Sequence, residues 1–100
     1  MNAETVLWTV TGCLMFLGLC ALVLRRQLLA MILGLELMIN AANLIFVYYA
    51  RVWSDPAGWA AALLVIAAAA AEVVVGLSLI LALNRAGVEA DTGSLRELQG

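Results

Sequence analysis

From Thr5 to Leu24 the chain carries no charged side chain, and two more apolar runs follow it, Gln27 to Ala50 and Trp59 to Leu83, each interrupted by a single glutamate. A helix rises about 1.5 Å per residue, so roughly 20 residues cross a hydrocarbon layer of about 30 Å. All three runs have that length. The fold class this predicts is all-α, an integral membrane protein of three transmembrane helices with approximate spans 5–24, 27–50 and 59–83 and a polar tail 84–100. The 66% apolar content lies far above the roughly 45 to 50% of soluble domains, and that surplus has to face lipid. With 100 residues, most of them inside a bilayer, one three-helix domain over 1–100 is the expectation. A water-exposed catalytic pocket has no soluble core to be built in.

Composition removes several function classes. The five basic residues are all arginine, the net charge is -2 and histidine is absent, so nucleic acid is not expected as a partner. Cys13 and Cys20 stand alone in the first run. Zinc and iron-sulfur sites usually need four soft ligands, so the two cysteines read as small packing residues, and no metal or bound cofactor is expected on this chain. The first run resembles a signal peptide in length, but Glu4 precedes it and Arg25-Arg26 follow it, the reverse of the usual charge order. It is expected to be retained.

Orientation follows from the arginines. Three spans put the termini on opposite sides, so Arg25 and Arg26 share a side with Arg85 and Arg96, and only Arg51 lies on the other. The positive-inside rule then makes the Arg25-Arg26 side cytoplasmic, with the N-terminus outside and the tail inside. Tyr48, Tyr49, Trp53 and Trp59 gather around the outer connection, where aromatic rings mark a membrane boundary. The tail reads as a docking strap or a disordered end.

Two acids stand out against this background. Glu36 lies about 10 residues beyond Arg26, or roughly 15 Å of helix, and Glu72 about 13 before Arg85, or roughly 20 Å. Both are placed near the bilayer centre, where an acidic side chain costs about 3 kcal/mol even on the lenient insertion scale. Each is expected to be buried against protein or internal water. Asn40 and Asn43 continue the line of Glu36 at helical spacing, and Arg51 extends it to the outer end. On the third helix Val65, Ala68, Ala69 and Gly76 share the face of Glu72, small enough for a neighbouring helix to come close, so Glu72 is expected in a tight helix contact.

A bland reading makes both acids permanently neutral hydrogen-bonders that glue helices together. Such contacts return only about 1 kcal/mol, less than the insertion cost, so the protonic reading is preferred. A low dielectric favours the neutral carboxylic acid, and a carboxyl reached by internal water there can take up and release a proton. Two such groups at one depth hand protons sideways, which points to a component of a larger pump. For Asn40 and Asn43, which cannot titrate, helix packing or support of the nearby acid is the expected role.

The run Gly34-Leu35-Glu36-Leu37-Met38-Ile39-Asn40-Ala41-Ala42-Asn43-Leu44 closely resembles the second-helix signature of the small K-type subunit of proton-pumping NADH:quinone oxidoreductase, respiratory complex I. Ala69-Ala70-Ala71-Glu72-Val73-Val74-Val75-Gly76-Leu77 is similar to the third-helix signature of that family, and Arg25-Arg26 to its basic first loop. The outer connection, Asp55-Pro56-Ala57-Gly58-Trp59, departs from the Asp-Gly-Gln found in many members. The resemblance implies a membrane-arm subunit packed between antiporter-like and quinone-proximal subunits, in a bacterial inner membrane rather than an organelle. It implies that Glu36 and Glu72 serve in a lateral proton path supported by the cytoplasmic-loop charges Arg25 and Arg26. NAD, FMN, iron-sulfur clusters and quinone are expected on other subunits. Related assemblies, a multisubunit cation/proton antiporter or a membrane-bound hydrogenase, resemble the chain too. A purely structural scaffold is the alternative of a different class. A small multidrug exporter fits the size but not the layout, because such chains resemble four-helix proteins with an acid in the first span.

Overall fold

The computed structural model describes residues 1–87 and 92–93. Within them the chain forms three helices, α1 (Ala3–Leu24), α2 (Leu28–Val52) and α3 (Pro56–Arg85). All three are long and apolar enough to cross a membrane. The protein is therefore a multi-pass membrane protein.

Local chemistry sets the ends of these helices. The Asn2 side chain accepts from the backbone N–H of Thr5 at 2.8 Å, and Glu4 lies in the first turn of α1, where a negative charge meets the positive end of the helix dipole. Arg25 turns extended and stops α1. Only Arg25, Arg26 and Gln27 connect α1 to α2, so the two helices must run antiparallel. At the other end of α2, Ser54 takes a left-handed φ of 48° and the N–H of Asp55 donates to the Ala50 carbonyl at 2.9 Å. Asp55 then caps α3 by accepting from Ala57 N–H at 3.0 Å, with Pro56 in the first turn, where its missing donor costs nothing. This is why α3 begins at Pro56 rather than at Trp59. It runs for 30 residues, about 45 Å, more than a hydrocarbon core requires, and ends on Gly87 at φ +77°.

Helix α2 is the middle of the molecule. Both other helices pack on it, while α1 and α3 scarcely touch. Against α1 the closest approach is glycine on glycine: a methyl group at Gly18 would lie 2.5 Å from the Gly34 carbonyl oxygen, and one at Gly34 would lie 2.6 Å from that of Gly18. Helices in lipid associate through such close backbone contact, because lipid tails are already as apolar as leucine. Against α3 the contacts are Ala50 with Gly58 and Ile32 with Gly76, with Ala62 and Ala69 buried between them. Gly34 and Ile32 are two residues apart on α2, which turns them about 200° from each other. The three helices accordingly stand in a flat row, α1, α2, α3.

One hydrogen bond ties the ends of the first two helices together, from the Tyr49 hydroxyl to Glu4 Oε1 at 3.1 Å. The Tyr49 ring is edge-on to Tyr48 and tilted over Trp53, each with centroids 5.0 Å apart. Most of the remaining surface is apolar and open, as at Phe16, Leu64 and Val75. It faces lipid or other chains. Cys13 is exposed on this surface and only Cys20 is half-buried, so the packing role expected of the pair does not hold for Cys13 within the chain. The tail falls largely outside the described residues. Of its described part, Thr92 donates its backbone N–H to the Arg26 carbonyl at 3.1 Å.

Candidate proton-relay site

The contacts on α3 fix the register of the two acids. Ile32 and Ala50 are 18 residues apart on α2, and their partners Gly76 and Gly58 are also 18 apart on α3 in the opposite sense. Four residues on from Ile32 stands Glu36, and four back from Gly76 stands Glu72. In an antiparallel pair those two positions share one level. The packing of α2 on α3 thus puts the two glutamates at one level of the pair.

Direction differs from depth. Four residues carry a helix through about 400°, so each glutamate sits roughly 40° off the line along which α2 and α3 face each other. Because the helices are antiparallel, the offset of Glu36, taken forward along α2, and that of Glu72, taken backward along α3, lead to opposite broad faces of the row. Glu36 is half-buried and Glu72 is exposed. The tight contact expected around Glu72 is made by its neighbours Ala69 and Gly76, not by its own side chain, because the small residues occupy the facing line and the glutamate its flank. Among the described residues neither carboxylate has a hydrogen-bond or ion-pair partner in the chain. A carboxyl in an apolar span is tolerated where another chain, or water held against one, covers it.

The two asparagines divide in the same way. Asn43, eleven residues past Ile32, points close to the α3 line and is buried at 9% exposure. Asn40 lies further round on the side of Glu36 and is exposed. Glu36, Asn40 and Asn43 therefore mark one broad face. Arg51 extends that face to the end of α2, with its side chain exposed. Arg25 and Arg26, also exposed, sit in the connection at the opposite end. The chain brings Glu36, Asn40 and Asn43 together on one surface; it does not bring the loop arginines to them.

Sequence reasoning missed two features that hold this arrangement, the Gly18–Gly34 approach and the Glu4–Tyr49 bond. The first had a signal, glycine inside otherwise bulky apolar runs. The second had none, since nothing in the sequence pairs positions 4 and 49.

A flat row of three spans with almost no interior of its own, carrying lone carboxyls at one level, defines a small membrane subunit built to be covered by neighbours. The family model for NADH-ubiquinone/plastoquinone oxidoreductase chain 4L matches residues 6–100. A NADH-quinone oxidoreductase subunit K from Persephonella marina is 40% identical over 89 residues, 89% of either chain. Another from Deinococcus radiodurans is 40% identical over 90 residues, covering 90% of this chain and 87% of its own. The chain belongs to this family of small NADH-quinone oxidoreductase subunits.

Proposed function

We propose that the chain is a membrane-arm subunit of a proton-translocating NADH:quinone oxidoreductase in which Glu36 and Glu72 carry protons laterally, from one broad face of the row to the other. Supporting this is the shared level of two carboxyls on opposite faces: a proton entering beside one neighbouring chain leaves beside another, with no net movement along the membrane normal. Between them runs the close contact of Gly76 on Ile32 beside the buried Ala69, so the proton passes around that seam through water held by neighbouring chains. Oxidation of NADH by flavin and iron-sulfur clusters and reduction of quinone fall to other subunits. The host membrane is the bacterial inner membrane.

Redox-triggered difference infrared spectroscopy of the assembled complex tests the relay. Carboxyl bands are expected to change during turnover, one disappearing in Glu36→Gln and another in Glu72→Gln. Bands that stay constant through turnover in the native complex would defeat the reading, since a relay group must change its charge state.

The same proposal fixes the orientation, with Arg25-Arg26 in the cytoplasm and the Ser54-Asp55 turn outside. A cysteine placed at Ser54 is expected to react with a membrane-impermeant maleimide in intact spheroplasts, and one at Gln27 only after the membrane is opened. The reverse pattern would invert the chain.

A further inference from the structure

Asn43 poses a problem that the relay leaves unsolved. Its side chain is 9% exposed, and its Oδ1 is covered yet has no hydrogen-bond donor among the described residues. A buried polar atom left in this state costs about 1 to 3 kcal/mol. Helix α3 offers no remedy, because the residue level with Asn43 in the register is Val65, and around it stand Ala61, Ala62, Leu64, Ala68 and Ala69. Backbone groups there are committed to the helix. Lipid tails have no donor either, so none of the described residues supplies the partner and water or another chain is left to do so.

Beside Asn43 the surface forms an open groove of about 210 Å³, lined by Asn40, Asn43, Leu44 and Val47. Half its lining residues are amides in an otherwise apolar helix. A water molecule takes up about 30 Å³ in the liquid, so the groove has room for several. Water can donate to an amide oxygen and accept from an amide nitrogen at once, as two amides one turn apart require. The terminal torsion of asparagine is soft, so a partial turn about Cβ–Cγ opens the oxygen to water at the groove's edge, whereas a half-turn would only exchange it for the amide nitrogen.

We propose that this groove is a water-binding site, held by Asn43 and Asn40, which hydrates Glu36 from the Arg51 end of α2. Asn40 lies one turn from Glu36 and Asn43 two turns, about 6 and 10 Å along the helix. Water in the groove therefore reaches the carboxyl by way of the Asn40 amide. Asn43 is a positioning residue: it holds the water and does not itself exchange protons. The purpose assigned to the water rests on the proposed relay through Glu36; the water site does not.

X-ray hydroxyl-radical footprinting of the assembled complex in its membrane tests the site, because radiolysis of bound water oxidises the side chains it touches. Leu44 and Val47 are expected to be labelled in the native complex, to lose the label in Asn43→Leu, and to keep it in Asn43→Ser, which retains a hydrogen-bonding group. Proton pumping is expected to fall in Asn43→Leu and to recover in Asn43→Ser. Absence of label in the native complex would mean that a side chain of another subunit fills the groove, and would overturn the proposal. Label unchanged in Asn43→Leu would overturn the part given to Asn43. If Asn43→Leu prevents assembly, the native and Asn43→Ser footprints decide. Label that persists in a Glu36→Gln complex that pumps normally would leave the water site standing and remove the relay.

Discussion

A complex carrying Glu36→Gln is expected to assemble in normal amount and to pump protons at least about tenfold more slowly than the native complex. Glutamine keeps the shape and polarity of glutamate but cannot give up a proton, so packing against α3 is unchanged while the relay loses a station. A charge left unaccommodated at mid-membrane depth costs about 3 kcal/mol on the lenient scale, which corresponds to a loss of about a hundredfold in rate. Water held by neighbouring chains carries part of the flux, which lowers the expected factor to about ten. In the proposed function electron transfer is coupled to pumping, so NADH-dependent quinone reduction is expected to fall with it. Glu36→Asp retains a carboxyl and should recover part of the rate. The measurements are proton uptake by inverted vesicles per NADH oxidised and the amount of complex on a native gel. A normal ratio and rate in an assembled Glu36→Gln complex would exclude Glu36 from translocation and favour a scaffold role for this chain.

The second large effect is expected at Gly18, where even alanine is too big. Its methyl group would lie 2.5 Å from the Gly34 carbonyl oxygen and 3.1 Å from the Met38 backbone nitrogen. Both are main-chain atoms, so relief requires the helices to move apart. Overpacking a tight contact costs about 1 to 3 kcal/mol, and here the seam holding α1 is narrow. Gly18→Ala is expected to lower the yield of assembled complex several-fold, and Gly18→Leu to abolish it. Gly12 supplies the control. It lies on the same helix with nothing within 4 Å of an added methyl, so Gly12→Ala should be neutral or stabilising by up to about 1 kcal/mol. If Gly18→Ala and Gly12→Ala assembled equally well, the glycine contact would have no part in holding α1.

The contrast between these residues shows how far sequence alone reaches. Helices are legible because membrane thickness converts directly into run length, and because Arg25-Arg26 and Asp55-Pro56 can only be breaks. The level of Glu36 and Glu72 is legible for the same reason, by counting from the nearest arginine. Which way each carboxyl points is not, since it depends on the facing line between α2 and α3, and that line is set by Gly58 on Ala50 and Gly76 on Ile32. Taken from the sequence alone, Ala68, Ala69 and Gly76 made Glu72 look enclosed. The register leaves it on the flank. Asn43 is the converse case: the polar stripe identified it, but only the packing shows that its oxygen is covered and without a donor among the described residues.

The flat row has one more consequence. A chain whose helices share two narrow seams gains little free energy from folding alone, and what it lacks is supplied by the neighbours that cover its faces. Its lifetime in the cell is then expected to follow docking rather than its own unfolding, with undocked copies degraded before docked ones. Stoichiometry would in that way be set after synthesis, by the places the rest of the assembly offers.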